Sequence, residues 1–326
     1  MKQRQFERRH QAGWARFAER LALLERSRHL SEAGKGFAED YRQICQHLAL
    51  AHERGYSSHL VDALQQLAMR GHQQLYRHRS QMGAQLLMFV LAGFPRLVRA
   101  EWRLVAFSSL LFFGSLLIMG LLVHGYPDLI YSVVSPAQVG EMESMYDPAA
   151  RRIGLAPERE SSKDGLMFGY YIMHNIGIAF QTFASGLLFG LGSLFFLLFN
   201  GLTIGAVAGH LTNAGFGETF WPFVIGHGAF ELTAIVLAGA AGLKLGWALV
   251  APGPLRRSEA LKRAARTSVR LIGGVILFLT IAAFLEAYWS SMTWPQPSTK
   301  YWVGAMLWAL VAAYLMFAGR ITHAPD

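Results

Sequence analysis

Within the long apolar stretches of this sequence, three side chains could carry chemistry: His227, Glu231 and Glu286. His227 and Glu231 are four residues apart, so a helix stacks them one turn apart on one face. An acid at the centre of a bilayer costs about 2.5–3.5 kcal/mol on insertion scales, so such groups must turn toward protein rather than lipid. Three kinds of chemistry fit. With Asn175 and Asn200 the three could form a hydrogen-bonded network that fixes helix register, since buried polar groups must be paired. As acids and an imidazole inside a span, His227, Glu231 and Glu286 could pass protons or ions. The same three could ligate a metal, as in an intramembrane hydrolase. The zincin pattern, however, needs a second histidine with a glutamate beside the first, and neither stands near His227. No Gly-Lys phosphate loop, dinucleotide fingerprint or nucleophile constellation is present, so no catalytic residue is assigned and no cofactor is expected.

The elements that must hold these residues are apolar helices. Trp221 to Gly242 is long enough to cross a bilayer, for which about 20 residues suffice. Small residues surround its polar pair: Gly226, Gly228, Ala229, Ala234, Ala238 and Gly239 permit close helix approach. Other spans are expected at about 104–123, 167–184, 187–208, 271–289 and 302–318. The run Leu166 to Gly209 is roughly twice the membrane thickness as one helix, so it should fold back near Ser185, Gly186 and Gly190. Its first half could instead be re-entrant.

Composition agrees. Of 326 residues, 53% are hydrophobic and only 16% charged, which marks a membrane protein. The net charge of +9 is read as cytoplasmic flanks of spans, not as a nucleic-acid surface. Arg256, Arg257, Lys262, Arg263, Arg266 and Arg270 crowd a segment at 251–270, expected to be an inside loop. Acidic residues predominate in a loop at 125–165, expected outside. Six crossings from an inside N-terminus satisfy both signs and put the C-terminus inside too. Residues 82–103, apolar then basic and aromatic around Pro95, read as an interfacial segment.

Residues 1–81 read as a soluble helical domain. Trp14, Phe17, Leu21 and Leu24 recur at helical spacing, then Phe37, Tyr41, Ile44 and Leu48, then Leu60, Leu64, Leu67 and Leu75. Breaks are expected at Ser31 and Gly34, and at Gly55 with Ser57 or Ser58 as the following N-cap. His10, His29, His47, His52, His59, His72 and His78 match no ligand spacing and are read as solvated surface groups. Cys45 is the lone cysteine and a small core residue.

The stretch DYRQICQHLALAHERGYSSHLVDALQQLAMRGHQQLYRHR resembles the cytoplasmic head of the stage II sporulation protein M family. HNIGIAFQTFASGLLFGLGSLFFLLFNGLTIGAV is similar to that family's asparagine-bearing membrane core, and GHGAFELTAIVLAGAAGLKLG to its His-Gly-x-x-Glu-Leu signature. AAFLEAYWSS is similar to its later acidic span. The resemblance implies an integral protein of the cytoplasmic membrane of bacteria or archaea. In spore formers the namesake helps hold a peptidoglycan-degrading complex at the septum. The expected architecture is an all-α polytopic bundle of about six spans (104–319) behind a soluble head. The expected function is a non-enzymatic scaffold in the bilayer, joining cytoplasmic partners to other membrane or envelope proteins, with a homo-oligomer among the expected assemblies. The alternatives are a transporter or channel subunit and the hydrolase.

Overall fold

The computed structural model describes residues 2–26, 36–148, 161–292 and 294–320. Ser31, Gly34, His29 and residues 149–160 lie outside these, as does the His78 side chain. All described elements are helical: α1 (Gln3–Arg26), α2 (Phe37–Glu53), α3 (Ser58–Met88), α4 (Phe94–Ala100), α5 (Trp102–Gly125), α6 (Pro136–Tyr146), α7 (Ser161–Ala184), α8 (Leu191–Asn213), α9 (Gly217–Val250), α10 (Arg257–Phe284) and α11 (Pro297–Phe317). Two π-helical stretches, Phe89–Gly93 and Leu285–Ser290, lead into α4 and extend α10. The chain forms two compact units, Met1–Met88 and Phe89–Asp326. The division falls inside the segment read as interfacial, because α3 runs on as helix to Met88.

In the first unit the expected stripes meet. Phe6, Ala51, Leu60 and Leu64 form one core and Phe17, Leu21, Phe37 and Ile44 another, with Trp14 packed against both. Gly55 has φ +61° and ends α2 in a Schellman motif, with the Tyr56 amide donating to Ala51 O at 3.1 Å. Gln3 then clamps the start of α3, donating to Ser57 Oγ and accepting from the Ser57 amide. The surface reading of the histidines is corrected at two positions. His10 and His47 are half-buried, their rings 4.1 Å apart, and His47 also meets Phe6 edge-on. His52, His59 and His72 are exposed. An imidazole body is apolar enough to fill a helix interface when its nitrogen finds a donor, and Trp14 Nε1 supplies one to His47 Nδ1 at 3.1 Å.

Among the described residues six helices are long and apolar enough to cross a membrane: Gly83–Ala100, which begins in the last residues of the first unit, and, within the second unit, Trp102–Gly125, Leu191–Asn213, Gly217–Val250, Arg257–Ser290 and Pro297–Phe317. This set differs from the expected one by including 83–100 and omitting α7. The reason is composition: α7 carries His174, Asn175, Gln181 and Thr182. The contacts place α7 among the crossing helices nonetheless. Phe168 packs on Phe284 and Tyr288 at one end of the bundle, and Phe183 and Thr182 carbonyls touch Gly242 toward the other. Residues 89–100, by contrast, gather at one end. Phe94 packs on Gly274, Phe278 and Tyr314, and Arg99 donates to the Leu315 and Ala318 carbonyls at 2.7 Å.

Glycine sets how closely the helices approach. A Cβ at Gly201 would meet Phe112 O and Ser115 Oγ, one at Gly205 would meet Leu116 O, and one at Gly209 Gly120 O. The order shows that α5 and α8 run parallel, backbone against backbone. On the other side Gly190 meets Gly246, Ser193 meets Gly242 and Leu197 meets Gly239, so α8 and α9 are antiparallel. The turn between α7 and α8 comes at Ser185–Gly190 as expected, with Gly190 at φ +85°.

Helix α9 is the inner element: 72% of its most apolar window is buried, against 22% in α5 and 17% in α11. It is also longer than the expected span, starting at Gly217. Helix α10 corrects the expected 251–270 loop, because its basic stretch from Arg257 is already helical. Lys, Arg, Ala and Leu are strong helix formers, so the span simply continues beyond its apolar part. The 125–165 segment is likewise more than a loop. Ser135 and Gln138 form a capping box that starts α6, and Ile130, Val134 and Val139 pack on Met119, Val123 and Ala206.

Candidate functional site

Helix α9 presents His227 and Glu231 on one face, and the π-helical extension of α10 brings Glu286 to them. One ligand-capable atom from each lies within 4.8 Å of the others. His227 Nε2 stands 3.8 Å from Glu231 Oε2, too far for a hydrogen bond but within ion-pair range. His227 is buried and its ring is held on two sides. Phe223 packs edge-on at 5.4 Å, and Nδ1 shares a 2.9 Å hydrogen bond with Ser290 Oγ. Lys300, buried at the start of α11, donates to the Ser290 carbonyl at 2.7 Å.

Asn175 of α7 is 4% exposed and sits beside Glu286. Its Nδ2 and Glu286 Oε2 are both buried without a hydrogen-bond partner. Asn175 and Glu286 nonetheless lie within interaction range of each other. Asn200 spends its amide on its own helix, donating to Phe196 O at 2.7 Å. His210, at the end of α8, pairs with Glu143 of α6 at 2.7 Å, and His174 stacks on Tyr170.

Helix α6 closes over this end of the bundle. Tyr146, its last residue, is buried against Phe220 and Phe223 and takes a hydrogen bond on its carbonyl from Thr219 Oγ1. Its phenol pKa is raised first by burial and then by the nearby Glu286 carboxylate, so the group stays a protonated donor. Ser290, Lys300, Tyr146 and Tyr171 were not singled out in the sequence. Ser290 had a signal, standing four residues after Glu286. Lys300 had a weaker one, a lone charge between two spans.

A model of the stage II sporulation protein M family matches residues 108–291, more than half of the chain and all of the polar cluster. The chain belongs to the stage II sporulation protein M family. Within this family member the head, residues 4–77, matches a separate model described as a Domain of unknown function (DUF8413). The chain is also similar to the uncharacterized protein MJ0793 of Methanocaldococcus jannaschii, 27% identical over 124 residues, covering 37% of this chain and 69% of that one. No solved structure matches. Family membership establishes a multi-pass membrane protein. The stage II sporulation protein M match carries His227, Glu231, Glu286 and Ser290 together, whereas Lys300 falls outside it.

Proposed function

We propose that this family member is a fixed membrane platform, an assembly factor whose head recruits cytoplasmic partners and whose α6 end meets envelope components. The observation that carries this is the backbone-to-backbone interlock of α5, α8 and α9 at Gly201, Gly205, Gly209, Gly242 and Gly246. Alternating access requires one part of a bundle to rock or slide against another. Helices whose carbonyls fill each other's glycine notches resist sliding, as close-packed interfaces do. Charge supports the sidedness: α4, the start of α5 and the start of α10 bear Arg96, Arg99, Arg103, Arg257 and Arg263, and the positive-inside rule favours that end as the cytoplasmic one. Both termini then lie in the cytoplasm and the membrane is the cytoplasmic one.

The test is purification of the tagged protein in mild detergent, with and without residues 1–81. Specific proteins are expected to accompany the full chain and to be lost with the head. A full chain that retains nothing, yet passes protons or cations in proteoliposomes, overturns the platform.

The meeting of His227, Glu231 and Glu286 favours a second reading, an ion or proton path. Under it Glu231→Gln abolishes flux; flux that is absent in the wild type, or unchanged in the variant, removes it.

A further inference from the structure

We propose that His227, Glu231 and Glu286 bind one first-row divalent metal ion inside the membrane unit. The proposal stands apart from the platform reading and begins with geometry. Three ligand atoms mutually within 4.8 Å need to close by up to about 1.4 Å to reach the roughly 3.4 Å spacing that tetrahedral metal–ligand bonds of about 2.0–2.2 Å set. Side-chain rotation of two glutamates covers that distance.

The histidine is already oriented for the task. Metal-bound imidazoles engage the far ring nitrogen with a hydrogen-bonding partner, which fixes tautomer and ring direction. Here Ser290 Oγ occupies Nδ1, and Nε2 is the nitrogen turned toward Glu231. Ser290 is anchored in turn through its carbonyl by Lys300.

Charge gives a second, independent argument. Neither Glu231 nor Glu286 has an ion pair with a lysine or arginine among the described residues. Two acids in one low-dielectric pocket repel, and a divalent cation would neutralise both.

Unmet hydrogen bonding gives a third. Glu286 Oε2 and Asn175 Nδ2 are buried without a hydrogen bond of normal geometry, although the two side chains lie within interaction range of each other. Buried groups so weakly satisfied are uncommon in folded proteins and call for an explanation. A metal would take the carboxylate oxygen. Turning the Asn175 amide over would present its Oδ1 to the same ion. The π-helical turn that carries Glu286 and Ser290 is itself a device frequent at functional sites. A nitrogen and two carboxylates suit zinc, cobalt, manganese or iron. Three protein ligands would leave a position open, and the Tyr146 and Tyr171 phenols lie within electrostatic reach of the two carboxylates.

The experiment uses the full chain, purified in mild detergent without chelator. Metal analysis before and after incubation with zinc is expected to give one ion per chain, retained on a desalting column. The double variant Glu231→Gln, Glu286→Gln should lose it while keeping the elution volume and helical circular dichroism of the wild type. Ser290→Ala should weaken zinc binding roughly 10- to 100-fold. X-ray absorption of the cobalt-loaded wild type should show one imidazole among oxygen ligands. That readout decides the question even if the variants fail to fold. A wild type that takes up neither zinc, cobalt nor manganese overturns the proposal. So does full metal content in the folded double variant, or a cobalt spectrum without imidazole.

Discussion

His47 accepts a hydrogen bond from Trp14 Nε1 while sitting 4.1 Å, ring to ring, from His10. Burial first and the neighbouring His10 second push its pKa below 6.5. The protonated ring would also turn a donor toward the Trp14 donor. Because the folded value lies below the unfolded one, the unfolded chain binds the extra proton first as pH falls. The head is therefore expected to be most stable above about pH 6.5 and to lose stability as pH drops through that value and below. Hydrogen exchange in α1 and α2, corrected for intrinsic rates, should rise between pH 7.5 and 5.5. His47→Gln should flatten that rise, and an unchanged pH dependence in the variant would show that another group is responsible. A single line of sequence could not have shown this pairing. His47 lies on a helix edge whose polarity looks like surface until α1 is laid across it.

At the scale of helices, glycine positions divide into those that touch and those that do not. Gly205 has the Leu116 carbonyl where a Cβ would go, and a backbone atom cannot move aside as a flexible side chain does. Gly114, on α5, has nothing within 4 Å of the same point. Gly205→Ala is expected to cost about 1–3 kcal/mol, the usual range for overpacking, and to lower the melting temperature in detergent. Gly114→Ala should leave it unchanged or slightly raised, since alanine is the better helix former. Equal melting temperatures for the two variants would mean that α5 and α8 are not in backbone contact. Helix identity and the turn at Ser185–Gly190 were legible from hydropathy and glycine placement. Helix ends were not. Helix α10 begins some fourteen residues before its apolar part because basic residues favour helix as strongly as leucine does. Helix α7, read from the sequence at 167–184, is less apolar than its neighbours because it supplies polar groups to the interior.

For the molecule as a whole, the polar cluster is assembled entirely within Phe89–Asp326, from α7, α9 and the end of α10. Deleting residues 1–81 should therefore leave the remaining chain monodisperse, with the same metal content as the full protein; loss of metal on deletion would tie the site to the head. His227 and Glu231 were readable as a pair because four residues separate them. That Glu286 joins them, and Asn200 bonds its own helix instead, depended on how helices far apart in sequence are arranged. Periodicity carries no information about that.

The parallel course of α5 and α8 bears on how the protein is made. Helix α5 leaves the ribosome well before its principal neighbour, because the whole stretch from Gly125 to Asn213 must follow. At a synthesis rate of roughly 5–20 residues per second, that is a delay of about 5–20 s. For that interval the nascent α5 stands in lipid with Ser108 and Ser115 uncovered, both of them buried in the finished protein. A membrane chaperone or insertase that shelters this face would shorten the exposure, and the chain should cross-link to it most strongly while α8 is still unmade.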